Sequence, residues 1–425
     1  MHLKLARALT EKGHEITLVI PSNIGIRDVL DLSGLQVIEY STRLNMVKDV
    51  AEPTMVKPYF EGREADLENV VQTMRQISHE ILTNQMLFEK MKLAKPDLFV
   101  YDDGSASRMF LIFAYRMGVP FAGLHFASEP FFRRIPFSPA VDPVEFLPVG
   151  QHMTFTERLT NFMIYASQLP ETNLAQCQGC RRNSGFTCKA LASRPTIVHG
   201  RCSGGVVIVS FGSFVLDLPD NIVQKFWEVF REIPFKVIFR SNLPSPDKRK
   251  LLTLPWFPQN DLLAHPNTKV FVTHCGSSGQ YQALYHAVPM VGLPISFDQL
   301  YNAERMRIKN FGMTLDLRSA NVSEIASAIK TVATDRIYKD AITHASHLFR
   351  VEFGVPAERA AFWLDHVMLY GGAYMRSAGQ EIPLYQFYLM DVLGFLGAML
   401  VICLCVLLYI LRLAVKKFYK KRKVD

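Results

Sequence analysis

The sequence predicts an α/β fold of two doubly wound parallel sheets, followed by one transmembrane helix. Short β-branched apolar runs alternate with amphipathic helical segments along most of the chain, as in parallel sheets covered by helices. Lys269–Thr273 is such a run, and a glycine-containing turn, a helical segment and a second apolar run follow it as one βαβ unit. Near the C-terminus, 392–411 holds twenty residues without a charge, enough at about 1.5 Å per residue to cross a bilayer.

The chain is long enough for two cores. Its 425 residues are 49% apolar, which exceeds what one ordinary hydrophobic core needs. After Leu411, seven Lys or Arg and one Asp supply +6 of the formal net charge of +8, so the basic charge belongs to the tail and does not indicate nucleic acid as a partner. The predicted divisions are an N-terminal domain at 1–170, an atypical cysteine-containing linker at 171–205, a second domain with closing helices at 206–383, the transmembrane helix at 392–411 and a basic tail at 412–425.

Strands and helices alternate in both predicted domains, which indicates parallel, doubly wound sheets. The first half is predicted to contain helix 1–13, strand 14–20, helix 61–92, strand 96–102, helix 108–117 and strand 119–125. The second half is predicted to contain strands 206–213, 235–240, 269–273 and 288–294, helix 280–286, and further helices from Asp298 to about Gly372, the last of them at 350–370.

The turn His274–Gly279 is built of small residues and glycine. Backbone N–H groups at a helix N-terminus have no intrahelical partner and lie at the positive end of the helix dipole. Glycine lets a diphosphate approach that backbone closely, and open α/β sheets bind ligands at the carboxyl ends of their strands. By itself the turn leaves two interpretations open, an anion site or a tight turn that binds nothing.

A run of fixed residue types surrounds this turn. It consists of Trp256, Pro258, Gln259, Leu262, Leu263, His265, Pro266, Thr273, His274, Gly276, Gly279, Val288, Pro289, Met290, Asp298 and Gln299. In type and spacing the run resembles the signature of the UDP-glycosyltransferases, specifically the membrane-anchored animal type that includes UDP-glucuronosyltransferases. The resemblance continues from about Val206 to the C-terminus and, more weakly, over most of the first half, and it implies the GT-B fold of two Rossmann-like domains.

The resemblance also implies a role for each matching residue. The indole of Trp256 would stack on the uracil ring and the amide of Gln259 would face the uracil edge. The alternatives are a core aromatic at Trp256 and a turn residue at Asp298. The other implied donor contacts are His274, Gly276, Ser278 and Gly279 to the diphosphate, Asp298 and Gln299 to the sugar hydroxyls, Gln282 to the ribose, Ser213 to the diphosphate or transferred sugar, and Arg240 to the nucleotide.

Three positions depart from the family signature. Cys275 and Ala287 stand where the family has glycine, and Cys275 adds a side chain in the tightest part of the turn. Gln282 stands where the family has a Glu whose carboxylate accepts two hydrogen bonds from the ribose diol. A hydrogen bond to a charged acceptor contributes roughly 1.5–3 kcal/mol, against about 1 kcal/mol for a neutral one. Gln282 therefore predicts weaker UDP-sugar binding than in a typical member.

In the family, a His at the end of the first strand is the general base, and an Asp orients it. Segments 1–13 and 14–20 resemble the helix and second strand of the family's first domain. The chain is therefore expected to be N-terminally truncated, with that His and a signal peptide preceding Met1. The apolar run 96–102 ends in an aspartate, so the role of orienting that His is assigned to Asp102, with Asp103 as the alternative. Residues 126–149, rich in Phe and Pro, are expected to form an apolar acceptor pocket.

The C-terminal segment predicts topology. The run Lys416–Lys423 follows the apolar stretch closely, and the positive-inside rule makes this tail cytosolic and the domains lumenal. The final lysines resemble a retrieval signal of endoplasmic-reticulum membrane proteins, with plain stop-transfer charge as the alternative. The protein is therefore expected in the endoplasmic-reticulum membrane, with Asn321-Val-Ser323 as a lumenal glycosylation sequon.

The linker fits the family poorly and leaves its chemistry open. Zinc binding, lumenal disulfides and a plain loop are the alternatives there. No metal is expected at the donor site, and no cofactor beyond the UDP-sugar co-substrate. The linker cysteines are Cys177, Cys180, Cys188 and Cys202.

Taken together, the resemblance implies transfer of glucuronic acid, glucose or galactose from a UDP-sugar to a hydroxyl of a small lipophilic acceptor, with inversion. The alternative is a non-catalytic paralogue that binds nucleotide sugar weakly or pairs with active relatives. The departures at Cys275 and Gln282 and the general base expected before Met1 favour that alternative. The evidence against it is the intact set Trp256, His274, Asp298 and Gln299. A homo- or hetero-oligomer is compatible with an anchored enzyme.

Overall fold

The computed structural model describes residues 2–22, 31–102, 108–124, 153–168, 204–212, 215, 218–296, 298–372, 374, 384–387 and 390–421. The chain divides into two compact units. The first comprises 1–128 and 138–374, and the second comprises 129–137 and 375–425.

The N-terminal part of the first unit alternates helices with short strands. Its strands are β1 (Thr17–Pro21), β2 (Gln36–Tyr40), β3 (Phe99–Asp102) and β4 (Phe121–Leu124). Its helices are α1 (His2–Glu11), a π-helix (Met46–Val56), α2 (Lys57–Phe60), α3 (Leu67–Thr83), α4 (Gln85–Leu93), a 3-10 turn (Arg108–Phe110), α5 (Leu111–Met117) and α6 (Phe155–Gln168).

The strands of this part form two parallel pairs, β1 with β2 and β3 with β4. Val19, Ile38 and Phe99, from three of these strands, pack into one hydrophobic cluster. The parallel strands predicted at 14–20, 96–102 and 119–125 are thus confirmed, although each is shorter than its apolar run. The single helix predicted over 61–92 is instead two helices, because Asn84 ends α3 and caps α4, its Oδ1 accepting the Leu87 N–H at 3.0 Å.

The second part of the first unit is a larger α/β arrangement. Its strands are β5 (Val206–Ser210), β6 (Lys236–Arg240), β7 (Leu251–Leu254), β8 (Thr268–Thr273), β9 (Met290–Gly292) and β10 (Gly312–Thr314), of which β7 and β10 add to the predicted set. Its helices are α7 (Asp220–Glu232), α8 (Gln259–Leu263), α9 (Ser277–Tyr285), α10 (Gln299–Ile308), α11 (Val322–Thr334), α12 (Arg336–Phe353) and α13 (Pro356–Tyr370).

These six strands make one parallel sheet in the order β10-β9-β8-β5-β6-β7. The chain starts at β5, runs outward to β7 and then returns to the other side of β5 for β8, β9 and β10. The strand order therefore reverses between β5 and β8, which is where open α/β sheets bind ligands. Ser210 pairs with Thr273 in register, so the loops after β5 and β8 leave the sheet side by side.

Strand β5 is buried on both faces of this sheet. Val207 and Val209 pack into one hydrophobic cluster, and Val206 and Ile208 pack into the other. Helices cover both faces, so the strand is a continuous apolar run rather than an alternating one. This burial fixes β5 and the neighbouring end of β8 as the rigid base of the loops that follow them.

The helix predicted at 350–370 is divided in two. Gly354, at φ 58°, ends α12, and Pro356 stands at the start of α13. Proline suits a first helical position, because its missing N–H would have no intrahelical partner there. The segment Arg350–Phe353 therefore belongs to the preceding helix.

Helix α13 packs back onto the N-terminal elements. Small residues and Leu364 of α13 form a buried cluster with Leu5 and Leu9 of α1. Asp365 adds polar contacts, accepting from Lys12 at 2.8 Å and pairing with His14. Phe362 of the same helix is 52% exposed and lies outside this cluster.

The second unit contains α14 (Leu384–Phe387) and the long helix α15 (Met390–Lys421). Within α15, the 24-residue segment Leu393–Lys416 is long and apolar enough to cross a membrane. The predicted span at 392–411 lies inside this helix, and the helix continues into the basic tail.

Two residues that stand in place of family glycines adopt left-handed backbone. They are Cys275, at φ 65°, and Ala287, at φ 54°. The left-handed region costs a residue with a Cβ roughly 1–2 kcal/mol. Ala287 comes directly after His286, the C-cap of α9, which is the position that glycine favours most at a helix end.

Replacing Ala287 by Gly should stabilise the protein by about 0.5–1 kcal/mol, because the strained Cβ is removed. Ala345 is the matched control, since it lies inside α12, and Ala345→Gly should destabilise by about 1 kcal/mol. The measurement is the urea unfolding midpoint of the detergent-solubilised full chain. Equal destabilisation by both substitutions would show that the backbone at Ala287 is not strained.

Candidate functional site

The centre of the candidate site is the His274 ring, which packs between two glycines. Gly212 follows β5 at φ 74°, and a Cβ built on it would lie 2.5 Å from His274 Cε1. A Cβ on Gly276 would lie 2.6 Å from His274 Nε2. Any side chain at either position would therefore displace the imidazole. The two glycines let the loops after β5 and β8 approach until only the thickness of the imidazole ring separates them.

The protonation of His274 is set by its surroundings. Burial, together with the positive charge of Arg240, lowers the pKa of His274 to about 4, so the ring is neutral at pH 7. Its Nδ1 atom is buried and has no hydrogen-bond partner in the part of the chain that the structure describes. Buried polar atoms are rarely left unpaired, and a neutral imidazole carries one N–H donor. The ring is thus suited to donate to an anionic oxygen of a ligand.

The lowered pKa of His274 also has a consequence for stability. Its ordinary pKa of 6.5 lies above its value of about 4 in the folded chain, so the unfolded chain takes up a proton first as the pH falls. The contribution of the neutral ring is present above pH 6.5 and is lost between there and about pH 4.

The N-terminus of α9 lies directly after this ring. Gly276 is its N-cap and offers no side-chain cap. The Ser277 amide bonds to the Asp298 carboxylate, and the amides of Ser278 and Gly279 remain for a ligand oxygen at the positive end of the helix dipole. The predicted helix start at Gln280 is three residues late, because Ser277, Ser278 and Gly279 form the first turn instead of a loop. Ser278 is exposed.

Gly279 has a packing role that the sequence did not reveal. A Cβ there would meet the Phe271 ring of β8 at 3.3 Å, so glycine lets α9 approach the strand closely. Gly279 therefore positions the helix end, while its backbone amide belongs to the open first turn.

Trp256 and Arg240 form the next part of the site. Trp256 is 37% exposed, so it is not a core aromatic, and the Arg240 guanidinium lies 5.3 Å from its ring centroid. Arg240 Nε donates to the Pro255 carbonyl at 3.1 Å, and its Nη1 donates to the Gly212 carbonyl. Arg240 thus braces the loop after β5 against the segment that presents Trp256.

Gln259 and Gln282 are bonded to each other. Gln259 begins α8 and Gln282 lies in α9, and the Gln259 Nε2 donates to the Gln282 Oε1 at 2.8 Å. The amide oxygen of Gln282 is therefore engaged by protein, and its amide N–H groups are donors rather than acceptors. A carboxylate at this position would have a second oxygen to offer.

Asp298 is the N-cap of α10 and is partly buried. Burial raises its pKa, and hydrogen bonds from the Asn302 side chain and from backbone amides, including that of Ser277, oppose the rise. Asn302 Nδ2 lies 2.6 Å from Asp298 Oδ2. Asp298 is therefore placed beside the first turn of α9. The sequence analysis did not single out Asn302, although its spacing of four residues from Asp298 was visible.

Gln299 is buried, and its amide oxygen is used by the protein. Its Oε1 accepts the backbone N–H groups of Ile295 and Ser296 at 2.9 and 3.0 Å. Gln299 thus holds the loop between β9 and α10, while its predicted contact with sugar hydroxyls stays a prediction.

The remaining predicted positions are spread more widely. Asp102 ends β3, where it is partly buried, and Asn321 is the exposed N-cap of α11 in a capping box with Glu324. No group of three or more His, Cys, Asp or Glu side chains within the described ranges could hold a metal ion. Outside those ranges lie Ser213, Asp103, residues 126–149 and the cysteines Cys177, Cys180, Cys188 and Cys202.

The fold and the site define the class first. Counted from β5, the sheet has the strand order 3-2-1-4-5-6 of a Rossmann-type domain, with a glycine-lined ring and an open helix N-terminus at its switch point, as in domains that bind nucleotides. Residues 184–424 match the family described as "UDP-glucoronosyl and UDP-glucosyl transferase". The chain belongs to this family of UDP-sugar-dependent glycosyltransferases.

Relatives match along nearly the whole chain. UDP-glucuronosyltransferase 2B18 of Macaca fascicularis is 28% identical over 490 residues, covering 100% of this chain and 92% of the relative. UDP-glucuronosyltransferase 2B10 of Homo sapiens is 28% identical over 480 residues, covering 97% and 89%.

Solved structures confirm the predicted GT-B fold. Os79 from O. sativa, crystallised in complex with UDP, matches with a TM-score of 0.56 at 18% identity, covering 86% of this chain and 97% of Os79. The spinosyn forosaminyltransferase SpnP matches with a TM-score of 0.53 at 15% identity, covering 86% and 95%.

Gly212→Ala should weaken UDP binding by about tenfold or more, because the new Cβ displaces the His274 ring from its place between the loops. Gly118→Ala is the matched control, since Gly118 has a similar φ of 70° but no atom within 4 Å of an added Cβ. Isothermal titration of the solubilised full chain with UDP measures both. Equal loss in the two variants would assign the effect to backbone strain and not to the ring.

Proposed function

We propose that this protein transfers glucuronic acid, glucose or galactose from a UDP-sugar to a hydroxyl group of a small lipophilic acceptor, with inversion at the anomeric carbon. Family membership supports the UDP-sugar donor. Among the three sugars, the names of the relatives favour glucuronic acid.

One observation carries the proposal, the position of Asp298 beside the first turn of α9. A helix N-terminus and the His274 ring suit the diphosphate of a nucleotide sugar. A carboxylate next to them can accept hydrogen bonds from sugar hydroxyls. The nucleoside would then lie toward Trp256, whose exposed indole is available for stacking on uracil.

The reaction is a direct displacement. The acceptor oxygen attacks the anomeric carbon as the bond from that carbon to the UDP oxygen breaks, and the acceptor proton passes to a general base that Asp102 orients. The departing diphosphate gains negative charge, which the amides of Ser278 and Gly279 at the start of α9 and the neutral His274 ring would stabilise. These donors are already in position, so little reorganisation is needed as the charge develops.

The apolar helix and the family indicate a membrane anchor. We propose that the anchor lies in the endoplasmic-reticulum membrane, with the two domains lumenal and the basic tail cytosolic. Asn321 would then carry a glycan. Asn321→Asp keeps a good helix cap but removes the sequon. Only the original protein should therefore shift in gel mobility when it is treated with an endoglycosidase. Absence of a shift in both proteins would contradict a lumenal location of the domains.

A transfer assay tests the function. Membranes containing the full chain are given UDP-glucuronic acid, UDP-glucose or UDP-galactose with a panel of lipophilic phenols and alcohols, and UDP release is measured. Acceptor-dependent release, lost in Asp298→Asn, is the expected result. UDP-sugar binding without release from any acceptor would instead support the non-catalytic alternative.

Gln282→Glu should tighten UDP-sugar binding about three- to tenfold, because a carboxylate keeps the bond from Gln259 and has a second oxygen for the ribose. Gln76→Glu on the exposed surface of α3 makes the same change of charge as a control. Titration with the UDP-sugar that the original protein accepts measures both. Unchanged or weaker binding in Gln282→Glu would remove the ribose role of this position.

A further inference from the structure

We propose that Asn302 is a positioning residue that ties the turn after β8 to the Asp298 carboxylate, so that diphosphate and sugar are held in one fixed geometry. The inference rests on the proposed function, because it assigns to Asn302 an action on the donor sugar through Asp298.

The side chain of Asn302 makes two bonds with one nitrogen. Its Nδ2 carries two protons; it lies 3.1 Å from the Cys275 carbonyl and 2.6 Å from Asp298 Oδ2. The carboxamide of an asparagine supplies two donors from one uncharged nitrogen. Both donors are directed to groups of the candidate site.

The fold places Asn302 for this role. Asn302 lies one helical turn after Asp298, so both side chains share a face of α10, and the Asn302 N–H also bonds to the Asp298 carbonyl at 2.8 Å. From the other side, Gln280 of α9 donates to the Asn302 carbonyl at 3.2 Å. Asn302 is thus held by both helices whose N-termini border the site.

The turn needs an external support. Cys275 has left-handed backbone, at φ 65°, which is unfavourable for any residue with a Cβ. Its N–H bonds to Thr273 Oγ1 at 3.2 Å, and its carbonyl bonds to Asn302. These two bonds fix the orientation of the peptide units on both sides of the strained residue, and hence the peptide that leads to Gly276.

Asp298 depends on the same side chain. A carboxylate must be ionised to accept hydrogen bonds with both oxygens, yet burial raises the pKa of Asp298 and so favours its protonated form. The bond from Asn302 opposes this and engages Oδ2. Asn302 therefore favours the charged form of Asp298 and fixes its orientation, so that the carboxylate is already in place to accept hydrogen bonds from the sugar hydroxyls.

Two variants separate this role from a structural one. Asn302→Ala removes both donors, and the unsupported carboxyl will then take up a proton at higher pH than in the original protein. UDP-sugar affinity should fall about tenfold at neutral pH and further as the pH decreases. UDP affinity should fall less, by up to about threefold and independently of the Asp298 proton, because UDP loses only the support of the turn.

Asn302→Asp keeps the shape and removes the donors. It brings two carboxyl groups together, which share a proton at low pH and repel when both are charged. UDP-sugar binding by this variant should therefore weaken as the pH rises, with the opposite sign to Asn302→Ala. Arg305→Ala, on the exposed side of the same helix, is the control and should change neither affinity.

The measurement is isothermal titration of the full chain with UDP, UDP-glucose, UDP-galactose and UDP-glucuronic acid between about pH 5.5 and pH 8. Failure of the original protein to bind any of the three UDP-sugars overturns the proposed function, and this inference with it. If the original protein binds a UDP-sugar, two results overturn the role of Asn302 alone. One is unchanged UDP-sugar affinity in both variants, and the other is a loss that is equal for UDP and UDP-sugar and independent of pH, as misfolding would give.

Discussion

The packing of the His274 ring between Gly212 and Gly276 is the constraint on which the rest of the site depends. Because β5 and β8 end in register, the loops that follow them leave the sheet side by side, and the imidazole of His274 packs between them and sets their separation. Its position sets where α9 begins. The hydrogen bonds of Arg240 to the Gly212 and Pro255 carbonyls then fix the loop after β5 relative to the segment that contains Trp256. One ring thus fixes the relation between the two ends of the proposed ligand.

Among its described residues, the site would meet the two negative charges of a UDP-sugar diphosphate largely without formal positive charge. His274 is neutral, the guanidinium of Arg240 is used by backbone carbonyls and the Trp256 face, and two glutamine amides bond to each other where a carboxylate is usual. The favourable electrostatics come from oriented dipoles at the end of α9, which need no counterion and change little with pH. Binding at such a site should depend less on salt than binding to a cluster of lysines.

Much of the second domain could be predicted from the sequence, since buried parallel strands are short apolar runs and the residues from Trp256 to Gln299 have a distinctive spacing. The limits were local. The sequence predicts the start of α9 three residues too late, because serine and glycine are common both in turns and in the first turn of a helix. The division at Gly354 was missed because the apolar pattern continues across it.

The candidate site was harder to predict, because composition does not reveal what a polar side chain is bonded to. Gln299 matches the family signature and Gln282 departs from it, but only the three-dimensional structure shows that the side-chain oxygens of both accept hydrogen bonds from the protein. Asn302 carried no signal apart from its spacing to Asp298. Its importance arises from a contact with the Cys275 carbonyl, and backbone acceptors are invisible in a residue pattern.

The return of α13 onto α1 has a consequence for synthesis. Lys12 and Asp365 are 353 residues apart in sequence, and the cluster around Leu5 and Leu364 closes only when both are present. The apolar face of α1 therefore stays uncovered while the intervening chain is made, and contacts of such long range close slowly. The helix that completes this core emerges just before the apolar segment Leu393–Lys416. Final folding of the first unit and insertion of the anchor should consequently occur at nearly the same moment, which makes the early chain dependent on protection by chaperones.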